Sequence, residues 1–583
     1  MSDRRNIRLI LLAALAIGAV LLIAFGPAFL GRFSLNVLTR SMIYAMLAIT
    51  VDLLWGYTGV LTFGQAAFFG IGAYATAMVL THLGSSPEFF VLALVASILI
   101  PFIFGLAVGW LSFYHASTPL YATVISLVVP IVVTQIVFSG GVWTGSSSGL
   151  VGYDTLPLGL AGYFRLTGAC LAIFAVLAII FVRSDAGRLL AAVRDNEARV
   201  SYLGMNPARV KIMLTAVLAG VCGLAGFLFA NASGVVAPEN AGFVFGTELV
   251  VWTALGGRGT IVGPIFGAIG IDYLSANLSG DLPFLWQLIV GSLFVVMIIF
   301  LPGGLASLAT RFFKVGKGKI KLSAIPMQPL DKNAGDASLL SVRDLGKSYG
   351  ALSVLKGIDL EVRASELVSL VGPNGAGKTT LMRCLSDGKE KIEGYIQILG
   401  KNIEGCAPQD IVALGVGRKF QVASIFDSMT IGECMKMARF SHRSPSALRS
   451  LPDIDLPAPA VEILQLTGMA DMLDKPVSLL SHGQRQALEL AMVVALQPRV
   501  ILLDEPTAGL TKTERMTIGT ILKKLTDEMG FAAILVEHDL DFVREISSRI
   551  VVLHQGRLIL DGTVEEVVNS ETVRTIYSGG AHG

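Results

Sequence analysis

Phosphate chemistry is most legible at Gly372-Pro373-Asn374-Gly375-Ala376-Gly377-Lys378-Thr379-Thr380. Glycines let backbone N–H groups turn inward and cradle an anion. Lys378 has the reach and charge to meet the β- and γ-phosphates of a nucleotide, and the Thr379 hydroxyl suits Mg²⁺. Two acids, Asp504 and Glu505, end the apolar run Val500-Ile501-Leu502-Leu503. The first is placed to hold Mg²⁺ through water, and the second to polarise a water for attack on phosphorus. His538 lies two residues beyond the apolar run Ala533-Ile534-Leu535-Val536. Alone it would read as a structural histidine. After a buried strand, and in company with these acids, it is placed to contact a γ-phosphate.

These groups need elements to carry them. Glu366–Val371 is a short apolar run before the glycine loop, and Leu381–Leu385 follows it. Strand, glycine loop and helix are the context that phosphate binding requires. The helix start adds the positive end of its dipole. Leu480-Ser481-His482-Gly483-Gln484-Arg485-Gln486 opens another helix, whose Ser481 and Gly483 again offer donors to a phosphate. A domain over 338–583 begins with the strand-like Leu340–Asp344, and helical patches with polar breaks over 422–478 predict an α-helical subdomain at about 422–495.

The rest of the chain has another character. It has 583 residues, 15% of them charged, and a mean hydropathy of +0.68. Charges are sparse before about Arg311 and ordinary afterwards. A net charge of +2 gives no reason to expect nucleic acid. The five cysteines are scattered singly, which argues against a metal site or a disulfide framework.

Ten apolar runs fall within residues 1–305: 9–30, 37–55, 60–81, 89–111, 119–138, 163–182, 210–231, 246–256, 262–278 and 285–301. A spanning helix needs about 20 residues. The run 246–256 is short and reads as a broken or re-entrant helix, which puts the expected number of spans at eight to ten. The first run is long for a signal peptide and is expected to remain as a span. Three basic groups check the topology: Arg4, Arg5 and Arg8; Arg183 to Lys211; and Arg311, Lys314, Lys317, Lys319 and Lys321. Six runs separate the first two groups and four the last two, so all three fall on one side, expected to be cytoplasmic. The loops 82–88, 139–162, 232–245 and 279–284 hold no Lys or Arg. Asp52, Glu248 and Asp272 lie in or beside apolar runs. Each marks either a transport pathway or a bond across a helix interface.

Residues 184–209 form the basic loop between two spans. Leu189, Ala192, Val193, Val200 and Leu203 recur at helical spacing, predicting one helix from Ala186 to Leu203, capped by Gly204 and stopped by Pro207. An amphipathic helix lying on lipid is the alternative. From 306 to 337, Lys, Gly, Pro, Asn and Asp replace the apolar periodicity, so this stretch is expected to be a flexible linker.

Trp55-Gly56-Tyr57-Thr58-Gly59 through Gly70-Ile71-Gly72-Ala73-Tyr74, and Leu255-Gly256-Gly257-Arg258-Gly259-Thr260-Ile261-Val262-Gly263-Pro264, resemble the permeases of branched-chain amino acid ABC importers. The resemblance runs over roughly 35–305. Residues 338–583 resemble the ATPase of the same importers, while Gly417-Arg418-Lys419-Phe420-Gln421 and Leu480-Ser481-His482-Gly483-Gln484 look closer to the urea and short-chain amide branch. The segment 184–209 resembles, loosely, a coupling loop: Glu197-Ala198 and Gly204 match its Glu-Ala-Ala…Gly pattern in part.

The resemblance implies roles. Tyr349 would stack on adenine; Gln421 would touch Mg²⁺ and the attacking water. Ser481, Gly483 and Gln484 would close over ATP held by a second ATPase. His482 stands where glycine is commoner, and Ala508-Gly509-Leu510-Thr511 departs from the usual Ser-Ala-Leu-Asp. The implied fold is an all-α polytopic membrane domain joined to an α/β ABC ATPase with a helical subdomain. The implied function is ATP-driven import of a small polar or zwitterionic solute of branched-chain amino acid type. A urea or short-chain amide importer is the alternative. An exporter or a membrane-anchored regulatory ATPase fits the many short spans less well. Implied partners are a second permease subunit, a second ABC ATPase subunit, an extracytoplasmic substrate-binding protein and membrane lipid. The implied location is the cytoplasmic membrane.

Overall fold

The computed structural model describes residues 17–114, 119–281, 285–301, 303–307, 321–327, 338–450, 453–571 and 573. Arg4, Arg5, Arg8, Arg311, Lys314, Lys317 and Lys319 lie outside these residues. Contacts divide the chain into two compact units. One comprises Met1–Leu190, Ala208–Gly316 and Ala447–Arg449; the other comprises Ala191–Pro207, Lys317–Ser446 and Ser450–Gly583. The expected division at 305 is therefore refined: residues 191–207 pack with the second unit.

The first unit is helical. Each apolar run becomes a helix: α1 (Ile17–Phe29), α2 (Arg32–Thr58), α3 (Gln65–His82), α4 (Pro87–Phe113), α5 (Pro119–Ser139) and α6 (Leu160–Arg183). After the intervening segment come α9 (Pro207–Ser233), α10 (Phe243–Gly256), α11 (Val262–Asp281) and α12 (Trp286–Phe300). Five of these, α2, α4, α5, α6 and α9, are by themselves long and apolar enough to cross a bilayer. α10 has 14 residues, and at about 1.5 Å per residue it falls short of a bilayer core of roughly 30 Å.

Three of the loops that lack Lys and Arg meet on one face of this unit. Leu150–Val151 pairs antiparallel with Val235–Val236. The Ser85 hydroxyl donates to Asp154 at 2.8 Å. Such ties require the loops 82–88, 139–162 and 232–245 to share a side, in keeping with their charge pattern.

Glycine allows the helices to touch. A Cβ on Gly72 would sit 2.5 Å from the Gly223 backbone, and one on Gly223 would sit 1.9 Å from the Ser97 carbonyl oxygen. α3, α4 and α9 therefore meet backbone to backbone, as small residues permit in membranes. Asp52 shows why the other glycine-rich stretch is shaped as it is. Its carboxylate is buried and accepts N–H bonds from Gly259 and, at 2.9 Å, from Ile261. The Tyr57 hydroxyl donates to the Gly259 carbonyl at 2.9 Å. Asp52 thus bonds across a helix interface, holding the turn between α10 and α11.

The second unit is built on a six-stranded sheet. Its order is Arg557–Gly562, Arg549–His554, Leu367–Val371, Ala532–Val536, Val500–Asp504, Val416–Lys419. All neighbours are parallel except the first pair. Leu367–Val371, Val500–Asp504 and Ala532–Val536 are buried at every position, as strands covered on both faces must be. A four-stranded antiparallel sheet of Leu352–Arg363, Ser338–Tyr349, Glu393–Ile398 and Lys401–Asn402 completes the α/β core. The region about 422–495 carries the helices Ile431–Arg439, Ala458–Leu466 and His482–Ala495.

Two expectations are corrected. Within 306–337, Lys321–Ile325 forms a β-strand, paired parallel over five residues with Asp453–Pro457. Leu322, Ala324 and Ile325 give the stretch enough apolar character to pair, despite its basic neighbours. The single helix expected over Ala186–Leu203 is two, α7 (Asp185–Asp195) and α8 (Glu197–Ser201). Asn196 separates them because its side chain accepts from the Arg199 N–H and caps the second helix. The second helix is C-capped by Tyr202, so Gly204, at φ 84°, lies two residues past the cap instead of forming it.

Gly223→Ala should destabilise the helical unit by roughly 1–3 kcal/mol, because the added methyl has no room. Gly270→Ala, where nothing lies within 4 Å, should be nearly neutral. All five tryptophans lie before residue 305, so melting followed by tryptophan fluorescence reports on this unit.

Candidate functional site

The parallel sheet explains how distant residues assemble. Ligands of such sheets bind beyond the carboxyl ends of the strands. Leu367–Val371 runs into the glycine loop, Ala532–Val536 into His538, Val500–Asp504 into Glu505, and Val416–Lys419 into Gln421. These four strands are adjacent, so their ends converge on a cavity of about 460 Å³. Asn374, Gly375, Ala376, Gly377, Lys378, Thr379, Thr380, Gln421, Asp504, Glu505 and His538 all line it.

The loop is poised for an anion. Gly372, Gly375 and Gly377 have φ of 153°, 80° and 108°, and a Cβ on Gly372 would lie 2.0 Å from the Leu553 carbonyl oxygen. Lys378 starts the helix Lys378–Ser386 and folds its amine back onto the carbonyls of Gly372 at 2.6 Å and Pro373 at 3.0 Å. Burial pushes that amine below the usual lysine range. A phosphate would replace two neutral acceptors with a charged one.

Glu505 is the hub of the acid side. Its Oε1 accepts from Gln421 Nε2 at 3.0 Å and lies 3.1 Å from His538 Nε2. Its φ is 45°, a left-handed conformation that is costly for a side chain of this size. The backbone N–H of Glu505 donates to the Val536 carbonyl at 2.9 Å, which holds the residue there. Asp504 is buried behind it; burial pushes its carboxyl above the usual range, and the Glu505 charge adds to this. Asp504, Thr379 and Gln421 supply hard oxygen donors to the wall of the cavity, a set that fits Mg²⁺.

Other predicted residues stand apart from this wall. Tyr349 ends a strand of the antiparallel sheet, is exposed, and lies under the Lys347 ammonium at 4.9 Å; it does not line the cavity. Ser481, Gly483 and Gln484 do not line it either. Ser481 caps the helix His482–Ala495, accepting from Gln484 N–H at 3.2 Å. Gly483 is pressed against the Gly509 carbonyl, where a Cβ would sit at 2.6 Å. In the altered segment, Thr511 caps the helix Lys512–Asp527.

Residues 191–207 form part of the same unit. Asn196 Nδ2 donates to Ser424 Oγ at 2.9 Å, and Asp195 Oδ2 accepts from the Ser428 N–H at 2.8 Å. Arg199 goes deepest. It is wholly buried, and its Nη1 donates to the Arg418 carbonyl at 3.0 Å and to Glu489 Oε1 at 3.2 Å. The same Glu489 oxygen accepts the Phe420 N–H at 3.2 Å. Tyr202 packs edge-on against Phe420, with ring centroids 4.9 Å apart. Arg199 therefore bonds directly to Arg418 and to the helix His482–Ala495, and reaches Phe420, the residue before Gln421, only through Glu489.

Sequence reasoning missed Glu489 and Lys419. Glu489 had a signal, being a lone acid on the apolar side of its helix. Lys419 had none. It is fully buried, and its amine donates to the Asp504 and Glu505 carbonyls at 3.1 and 2.8 Å. Burial pushes it down from 10.5 to about 8. Between those values the unfolded chain binds the extra proton, so folded stability rises as pH is raised through this window. Lys419→Met removes the titration. From pH 8 to 10.5 wild type should gain on this variant, by up to roughly 3 kcal/mol. Proteolysis of the second unit in graded urea measures the difference.

Comparison with known proteins agrees with this geometry. Residues 33–301 match the family described as the branched-chain amino acid transport system permease component. Residues 355–508 match the ABC transporter family. The high-affinity branched-chain amino acid transport ATP-binding protein BraF of Pseudomonas aeruginosa is 32% identical over 251 residues, covering 42% of this chain and 98% of that protein. LivG of Escherichia coli K12, of the same description, is 33% identical over 254 residues, with the same coverage of 42% and 98%. Among solved structures, the ADP conformation of MJ1267, an ATP-binding cassette of an ABC transporter, covers 42% of this chain and 99% of its own at 24% identity and a TM-score of 0.36. The chain belongs to the ABC transporter family, with a permease domain of the branched-chain amino acid type and an ABC ATPase on one polypeptide.

Proposed function

We propose that this chain is the fused permease–ATPase subunit of an importer that carries a branched-chain amino acid or similar small zwitterion across the cytoplasmic membrane. The observation that carries the reading is the presence of both family regions, in that order, on one chain. The relatives at the ATPase half are named for branched-chain amino acid transport, which supports the solute class. The motifs at 417–421 and 480–484 keep urea and short amides as the alternative.

In the proposed cycle the glycine loop and Lys378 hold the ATP phosphates, and Tyr349 stacks on the base. Thr379, Gln421 and Asp504 would hold Mg²⁺, which would neutralise charge developing on the phosphates. Glu505 orients a water, whose oxygen attacks the γ-phosphorus; the bond to the β,γ-bridging oxygen breaks, giving ADP and phosphate. His538, held by its contact with Glu505, meets the γ-phosphate. Ser481, Gly483 and Gln484 serve ATP held by a second ATPase, which is why none of them needs to line its own cavity. The second ATPase, a second permease and an extracytoplasmic binding protein complete the assembly. The N-terminus and the ATPase face the cytoplasm.

Residues 191–207 are the proposed lever. The chain enters them from α6 and leaves into α9, and Arg199 is bonded to Arg418 and to Glu489, which holds the Phe420 N–H next to Gln421. Closure of the ATPase would thereby pull on two membrane helices.

Two experiments test this. Glu505→Gln should lower hydrolysis by roughly two orders of magnitude or more and leave ATP trapped in a stable ATPase pair. Rapid turnover by that variant, or by a strict monomer of the wild type, contradicts the scheme. Arg199→Met should leave the Glu489 charge buried and unpaired, at a cost of roughly 3–5 kcal/mol. The double variant Arg199→Met/Glu489→Met should regain much of that stability yet hydrolyse ATP without uptake. Normal uptake by the double variant removes the lever.

A further inference from the structure

The permease unit contains a second cavity, of about 400 Å³, walled by α2, α10 and α11. Its lining combines Arg40, Glu248 and Asp272 with the rings of Tyr44, Phe245 and Trp252. The rings form a packed wall: the Tyr44 centroid lies 4.8 Å from Phe245 and 5.7 Å from Trp252.

The three charges are not equivalent. Asp272 is buried and satisfied. It accepts from Arg40 Nη2 at 2.9 Å and Nε at 3.3 Å, and from the Ser41 hydroxyl at 2.6 Å. Arg40 is thereby aimed along one edge, while its side chain stays 42% exposed. A guanidinium has five N–H donors, so donors remain for another acceptor. Glu248 is exposed at the cavity and has no hydrogen-bond partner among the described residues. An open carboxylate on a short apolar helix in a membrane unit is expensive unless it meets water or a cation.

We infer that this cavity is an intramembrane seat for an aliphatic α-amino acid in its zwitterionic form. Glu248 receives the ammonium group. The free donors of Arg40 receive the carboxylate. Asp272 and Ser41 keep the guanidinium oriented, and the wall of Tyr44, Phe245 and Trp252 takes the side chain. The volume lies within the range of small-molecule sites, roughly 300–1,000 Å³. An uncharged amide would bring no ammonium group to Glu248 and no carboxylate to Arg40, so the cavity itself discriminates between the two solute classes. The inference rests on the amino acid reading of the function.

The test uses the full transporter with its partner subunits in ATP-loaded proteoliposomes, with radiolabelled L-leucine and acetamide as probes. Wild type should take up leucine. Glu248→Gln should lower leucine uptake roughly tenfold or more, and Glu248→Asp, which keeps the charge, should recover most of it. Ser275→Trp, which fills the cavity without touching a charge, should also block uptake, and tryptophan-monitored melting reports whether each variant is folded. Leucine uptake at the wild-type rate by both folded Glu248→Gln and Ser275→Trp overturns the site and leaves amino acid import standing. Wild type that carries acetamide and no leucine overturns both.

Discussion

One carboxylate oxygen, Glu489 Oε1, receives a guanidinium from residues 191–207 and the peptide N–H of Phe420. Both Arg199 and Glu489 are fully excluded from solvent. Neither charge is tolerable there without the other, so the segment that carries Arg199 cannot leave without exposing an unpaired acid. The pair sits one residue from Gln421, which reaches Glu505, which in turn reaches His538. A continuous series of bonded groups therefore runs from the basic loop to the acid that faces the phosphate cavity. Gln486 adds a second hold, donating to the Gln421 carbonyl at 2.9 Å.

The sheet is what makes that series short. Four adjacent parallel strands end at the same edge, and each delivers one chemical group there. Lys419 ties two of these ends together by donating to the carbonyls of Asp504 and Glu505. The order of the strands, not the order of the sequence, decides that Gln421 and Glu505 are neighbours although 84 residues separate them.

Much of this was legible from residue types. The glycine loop, the acids after an apolar strand and the helix opened by Ser481 all rest on local patterns of period and composition. The helices of the permease half were legible for the same reason, since a bilayer demands long apolar runs. What stayed hidden depends on tertiary partners. The break at Asn196 was invisible because helical periodicity continues through it; only its capping of Arg199 marks the boundary. The strand Lys321–Ile325 was hidden by basic, glycine-rich surroundings, and its partner lies more than a hundred residues away. Asp52, Glu248 and Asp272 looked alike in the sequence. The structure separates them into a turn anchor, an open acid and a guanidinium partner.

The strand at Lys321–Ile325 has a consequence for how the two halves can be parted. It covers one side of Asp453–Pro457. An ATPase cut free at Ser338 would bare that row of peptide groups, and bare strand edges recruit other chains. The joint between the halves is thus a piece of the ATPase fold, and a cleanly excised enzyme must begin before Lys321.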